Sequence, residues 1–176
     1  MINSLIGKAK ELRKARYFKN GLFHAKKQYA FIGVGMHSLT NLYPILRHYG
    51  INLKYICTKN SSWQNNMTQL FPGCIFTHRI EDVINDIDVE GVIISATPSS
   101  HFNLLRETLN AGKKVFIEKP PCKSLPELEQ LIKASKKSVC KVGLQRRYWP
   151  GTKIVERKIK HARSYTYQFR TGPYIE

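Results

Sequence analysis

From Tyr29 onward, short apolar runs alternate with stretches in which apolar positions recur every three or four residues. Compact apolar runs bounded by Gly, Pro, Asn or Asp read as buried strands, and the wider spacing reads as helices with one covered face. The pattern predicts strands at Tyr29–Val34, Leu53–Thr58, Cys74–Thr77, Val92–Ala96, Lys114–Ile117 and Val139–Gly143. Helices fill the intervals. His37–Tyr49 carries Pro44 as a kink and Gly50 as its stop. Ser61–Leu70 is capped by Ser61 and closed by Pro72-Gly73. Ile80–Ile87 is followed by a turn from Asp88 to Gly91. A longer helix runs from a cap at Ser99 or Ser100 to Asn110, and another from Ser124 to about Lys136, with Glu127 at the capping-box position. Strands that are apolar throughout, rather than alternating, belong in a parallel sheet covered by helices on both faces. The fold class is therefore α/β, with a doubly wound parallel sheet.

The flanks depart from this pattern. Residues 3–27 space Leu5, Ala9, Leu12, Ala15 and Phe18 as a helix among lysines and arginines. Residues 151–160 form a further helix, and Ala162–Arg170 alternates with Tyr165, Tyr167 and Phe169 on one face, as a half-buried strand of another sheet. A lone strand with one apolar face needs a partner. The division is a basic helical extension at 1–28, the alternating domain at 29–150, and a linker helix with the start of a second domain at 151–176.

Charge sharpens that division. The net charge is +17 over 176 residues; the first 27 hold eight Lys/Arg against one acid, residues 28–132 hold nine of each, and residues 133–176 hold twelve against two. The basic ends read first as solvated faces or as surfaces for an anionic small molecule or acidic partner, since no nucleic-acid motif accompanies them. No apolar stretch reaches the roughly 18 residues of a membrane span, and the basic N-terminus lacks the apolar core of a secretory signal. Cys57, Cys74, Cys122 and Cys140 are scattered. They read as free thiols of a reducing cytoplasm and lack the spacing of a zinc site, so no metal is expected.

The chemistry sits at strand ends. Gly33-Val34-Gly35-Met36-His37-Ser38 closes the first strand and opens a helix. Two glycines there allow a tight turn and a close approach of backbone to phosphate, and Ser38 is small enough for the third glycine's packing role. Met36 and His37 join the phosphate-facing turn. At the end of the second strand, where a carboxylate would hold the ribose hydroxyls of NAD, the sequence offers Thr58 and Lys59 instead, which suit a 2′-phosphate. The expected cofactor is NAD(P), with NADP favoured. Thr97 and Pro98 end the fourth strand, and His101 follows in the first helical turn, either orienting a ligand or packing at the helix start. Glu118 and Lys119 end the fifth strand, ahead of Pro120 and Pro121. A lysine in a dry cleft beside a glutamate can hydrogen-bond a substrate hydroxyl and take part in proton transfer. A phosphate loop and a reactive lysine opening on one crevice read as a nicotinamide-dependent oxidoreductase.

These segments resemble the Gfo/Idh/MocA family of glucose–fructose oxidoreductase, inositol 2-dehydrogenase and their relatives. The resemblance is carried by Phe31-Ile32-Gly33-Val34-Gly35, by Ile94-Ser95-Ala96-Thr97-Pro98 with His101, by Ala111-Gly112-Lys113-Lys114-Val115-Phe116-Ile117-Glu118-Lys119-Pro120, and by Val142-Gly143-Leu144-Gln145-Arg146-Arg147-Tyr148-Trp149-Pro150. It implies a Rossmann domain over 29–150, Lys119 as the catalytic, substrate-proximal lysine, and Arg147 and Trp149 as further substrate-side residues. It also implies hydride exchange with a carbinol or carbonyl of a polyol, sugar, cyclitol or nucleotide sugar. Family members continue into a second α/β domain that carries most of the substrate pocket and an Asp/His-type pair; of it, only a first strand near Ala162–Arg170 is expected here. The chain should then bind cofactor and turn over poorly. The alternative is a catalytically inactive dinucleotide-binding module that acts through a partner, or a second copy, at residues 160–176.

Overall fold

The computed structural model describes residues 27–136, 138–160, 164 and 166. The expected helix at 3–27 and strand at 162–170 lie outside the described residues. Six strands, β1 (Gln28–Ile32), β2 (Leu53–Cys57), β3 (Ile75–Thr77), β4 (Val89–Ile94), β5 (Lys114–Ile117) and β6 (Cys140–Val142), form one sheet in the order β3-β2-β1-β4-β5-β6. Every neighbouring pair is parallel. This is the doubly wound order whose direction reverses between β1 and β4.

Successive residues of a strand point to opposite faces, so each central strand supplies both cores. Ala30 and Ile32 join Val92, Ile94, Leu105 and Ile117 on one side. Phe31 joins Tyr43, Ile56, Met67 and Phe71 on the other. Five helices cover the faces: α1 (Tyr43–His48), α2 (Gln64–Leu70), α3 (Ile80–Ile84), α4 (Pro98–Asn110) and α5 (Leu125–Ser135).

Four local expectations are corrected. The Pro44 kink is instead a π-helical stretch, Ser38–Leu42, leading into α1, with Pro44 in the first α-helical turn. Proline has no N–H for the carbonyl four residues back, and the chain ahead of it takes the wider spacing, Tyr43 N–H bonding the Ser38 carbonyl. The cap after β2 is Asn60, whose Oδ1 accepts from the Ser62 amide at 2.9 Å, rather than Ser61. Helix α3 stops at Ile84, and the chain then turns where Asp86 Oδ1 accepts from the Asp88 amide at 2.9 Å. The turn expected at Asp88–Gly91 is largely strand, since β4 begins at Val89. Gly91 lies opposite Tyr29, and a Cβ on it would come within 3.2 Å of that ring, so its missing side chain makes room for an aromatic neighbour.

Helix α4 begins before the expected Ser99 or Ser100 cap: Thr97 holds the N-cap position and Pro98 the first turn, where the absent N–H is no loss. Helix α5 starts as expected: Ser124 Oγ accepts from the Glu127 amide at 3.4 Å, and Glu127 reaches back to the Lys123 amide at 2.7 Å. A second compact unit begins at Leu144 and holds a 3₁₀ turn, Gln145–Tyr148, and helix α6 (Pro150–Ile159). Thr152 Oγ1 ties that helix to the Arg146 carbonyl at 2.7 Å.

Candidate functional site

The direction reversal between β1 and β4 leaves a crevice beyond their carboxyl ends, which is where open α/β sheets bind ligands. Gly33 sits at its base with φ of +106°. A Cβ there would lie 2.2 Å from the Ser95 carbonyl oxygen, so only glycine lets the two strand ends pass. Its amide bonds the Cys57 carbonyl at 2.8 Å, and its own carbonyl accepts from Tyr43 Oη at 3.0 Å. Tyr43 is buried and stacked on Phe31 with ring centroids 4.2 Å apart, and burial pushes its phenol far above the ordinary range. It is thus a fixed donor that pins the loop.

Gly35 faces open space, with nothing within 4 Å of where a Cβ would be. Its amide donates to Ser38 Oγ at 2.9 Å, and Ser38 Oγ donates back to the Gly35 carbonyl at 2.9 Å. Ser38 is fully buried. The serine in the third-glycine position therefore braces the loop internally. Met36 and His37 stand on the exposed side of the same turn.

The loop forms one wall of a cleft of about 530 Å³, continued by Thr58, Lys59, Asn60 and His78 on one side and by Ser95 to Pro98 on the other. Thr58, Lys59, Thr97 and Pro98, each singled out in the sequence, all line it. Among the described residues no carboxylate does. Thr58 is nearly buried, and its Oγ1 accepts from the Asn60 amide at 3.2 Å, which fixes the turn bearing Lys59. Cys57 also lines the cleft, but burial pushes its thiol up to about 11, away from a nucleophile's range.

Glu118 is buried at the end of β5, where its Oε2 accepts from the Lys119 amide at 3.3 Å. Its Oε1 lies 3.6 Å from His37 Nε2, which brings the fifth strand's end to the phosphate-loop turn. Asn41 Nδ2 lies 3.3 Å from His37 Nδ1; an amide there donates, which leaves Nε2 to carry the hydrogen towards Glu118. Gly143 gives Glu118 its space, since a Cβ there would be 2.9 Å from Oε1. Lys119 is exposed, and the peptide joining it to Pro120 is cis.

Of the two readings of His101, the structure describes packing at the helix start. His101 is buried, with Nδ1 2.7 Å from the Pro120 carbonyl and Nε2 2.9 Å from the Ala96 carbonyl. Both nitrogens are taken up by backbone, and the ring links the ends of β4 and β5 behind Lys119. Arg147 and Trp149 belong to the second unit, where the Arg146 guanidinium lies 5.6 Å over the Trp149 ring.

Among known proteins, a family described as an oxidoreductase family with an NAD-binding Rossmann fold, Gfo/Idh/MocA, matches residues 27–145. The match covers more than half of the chain. The chain belongs to the Gfo/Idh/MocA oxidoreductase family. Among curated members it is 26% identical over 134 residues to an uncharacterized oxidoreductase of Schizosaccharomyces pombe, covering 74% of this chain and 36% of that protein. It is 40% identical over 73 residues to an inositol 2-dehydrogenase of Salmonella paratyphi B, covering 40% of this chain and 22% of the relative. Among solved structures, a 3-ketoreductase of Actinomadura kijaniata in complex with NADP and TDP-benzene superposes with a TM-score of 0.67 at 18% identity, covering 76% of this chain and 42% of that one. The likeness at that identity is one of fold. The chain spans about a third of the length of the first of these curated relatives.

Within this Gfo/Idh/MocA domain, sequence reasoning missed His78 and Asn60 as cleft residues. The signal for His78 was its place just past the third strand, which pairs with the second and so brings His78 beside Thr58. The residues present fit a dinucleotide: a glycine turn open at Gly35, the start of a helix facing the cleft, and walls without acid.

Proposed function

We propose that the cleft binds a nicotinamide dinucleotide, NADP in preference to NAD, and that the chain serves an NAD(P)-dependent dehydrogenase or reductase of the Gfo/Idh/MocA type. The observation that carries this reading is the Gly33–Ser95 crossing, which leaves a turn open at Gly35 at the switch point of a sheet whose cleft walls hold lysine and, among the described residues, no carboxylate. In the proposed roles, the turn from Gly33 to Ser38 faces the pyrophosphate with Met36 and His37. Thr58 and Lys59 face the 2′-phosphate, and Thr97 and Pro98 form the opposite wall. Glu118 positions the turn through His37. Lys119 hydrogen-bonds the substrate hydroxyl and holds or passes its proton, with Arg147 and Trp149 on the substrate side. The nicotinamide, when bound, supplies the hydride chemistry.

The substrate class we propose is a sugar, cyclitol or nucleotide sugar, since the chain's relatives include inositol dehydrogenases, and a 3-ketoreductase bound to a TDP compound shares its fold. A second reading, a dinucleotide-binding module that works through a partner, is favoured by the exposed apolar residues Leu125, Leu128 and Ile132 along α5. Titration with NADPH and NADH, read by fluorescence and thermal shift, tests the first reading. Binding of both with NADPH tighter is the expected result. Binding of neither would sink it.

A further inference from the structure

His78 enters the cleft from an unexpected direction, just after β3. Its Nδ1 lies 2.5 Å from the Thr58 carbonyl oxygen. A carbonyl can only accept, so Nδ1 must carry the hydrogen. That bond fixes the ring's orientation and its neutral tautomer together. Nε2 is left with a lone pair when the ring is neutral and becomes a second donor when it is protonated. The Thr58 carbonyl belongs to the turn that bears Lys59, so the bond ties the ring to that turn. Thr58 is further held by its amide bond to the Thr77 carbonyl at 3.0 Å.

The charged groups around His78 leave it a role that its neighbours do not fill. Arg79, next in the chain, is drawn to Glu81 and Asp82 on α3, with its Nε 3.8 Å from each. Asp82 also takes the Thr77 hydroxyl. From the β2 side the facing charge is Lys59, for which no ion pair is found among the described residues. The cations left to the cleft mouth on this side are thus Lys59 and, when protonated, His78.

We propose that His78 is a specificity-determining residue of the cofactor site, and that its imidazolium joins Lys59 in holding the 2′-phosphate of NADP. The inference rests on the dinucleotide reading given above. It makes the preference for the phosphorylated cofactor depend on pH. Histidine side chains change charge between about pH 5 and 8. Below that change Nε2 donates a charge-assisted hydrogen bond to phosphate; above it the lone pair repels the same oxygen. NADH has no phosphate at that position, so its affinity should be insensitive to the ring's charge.

The test is titration of the full chain and of His78→Asn with NADPH and NADH at pH 6 and pH 8. The phosphate itself gains charge over this range, with a second ionisation near 6, and this effect is common to both proteins. Asparagine keeps an amide donor for the Thr58 carbonyl without a titrating ring. The expected result is that wild type exceeds His78→Asn in NADPH affinity by about tenfold at pH 6. The gap should close at pH 8, with NADH affinity equal in the two proteins at both values. Equal NADPH affinities at pH 6, or a gap that does not change with pH, overturn the role of His78 while leaving the cofactor reading intact. A parallel loss of NADH binding in the variant assigns His78 to the fold of the turn and also overturns the proposal. Failure of wild type to bind either dinucleotide overturns the cofactor reading, and the proposal with it.

Discussion

Replacing Gly33 by alanine would set a methyl group 2.2 Å from the Ser95 carbonyl oxygen, at a φ of +106° that L-residues rarely adopt. Neither atom can yield, because Ser95 is held by its amide bond to the Ile32 carbonyl at 2.9 Å. Gly33→Ala is expected to cost about 3 kcal/mol, a fall of roughly 6–12 °C in Tm, with dinucleotide binding lost. Thermal melts with and without NADPH check this. His101 makes a contrasting case. His101→Phe keeps much of the ring's volume but removes the imidazole's polar contacts with the Ala96 and Pro120 carbonyls, at a cost of roughly 2 kcal/mol. Urea unfolding should show a lowered midpoint; an unchanged midpoint would mean that water replaces the ring. The positions of Gly33 and Lys119 at strand ends were legible in the sequence, because apolar runs that stop at Gly-x-Gly and at Glu-Lys-Pro mark where those strands finish. The role of His101 was not, because one of its partners is 19 residues away and appears only when two strand ends meet.

At the scale of elements, the capping box at Ser124 was readable where the other caps were not. Ser124→Ala removes the hydroxyl that accepts from the Glu127 amide and should cost α5 about 1 kcal/mol, or roughly 2–4 °C in Tm. The effect should be smaller in a Glu127→Ala background, because the two side chains close one motif, and a double-mutant cycle measures that coupling. Strand existence and parallel pairing could also be read, since apolar runs without alternation allow little but a covered parallel sheet. The ends of elements were harder. Gly91 looks like a turn residue and is a strand residue, because what decides is the Tyr29 ring across the ladder. Pro44 looks like a kink and follows a π-helical stretch, because the helix can widen before proline instead of bending at it. In both cases a contact absent from the local pattern outweighed propensity.

For the molecule as a whole, a charged network fastens the segment between α3 and β4 to its neighbours, across the sheet from the cleft's end of the strands. Lys54 on β2 bonds Asp86 at 2.7 Å and Asp88 at 2.8 Å, and Tyr55 Oη donates to Asp86 at 2.9 Å. The nearly buried Lys113 donates to the Asp86 and Val89 carbonyls at 2.5 and 2.8 Å. Three strands therefore depend on one short loop. The hydrogen bond from Lys54 holds the Asp86 carboxyl below the ordinary carboxylate range, against the opposing effect of burial. A carboxyl whose folded pKa is depressed contributes stability that is present above its unfolded value, near 3.9, and is lost as pH falls through the folded value. Unfolding free energy measured in urea should therefore fall as pH drops below about 4. Acid also adds charge to a chain that already carries +17, which pushes stability the same way, so the wild-type slope does not by itself implicate Asp86. Asp86→Asn separates the two effects. The variant should be less stable than wild type at pH 7, and its acid slope should be shallower, so that the curves draw together as pH falls below the carboxylate range. Parallel curves over the whole range would place the acid sensitivity in the overall charge and remove Asp86 from the account.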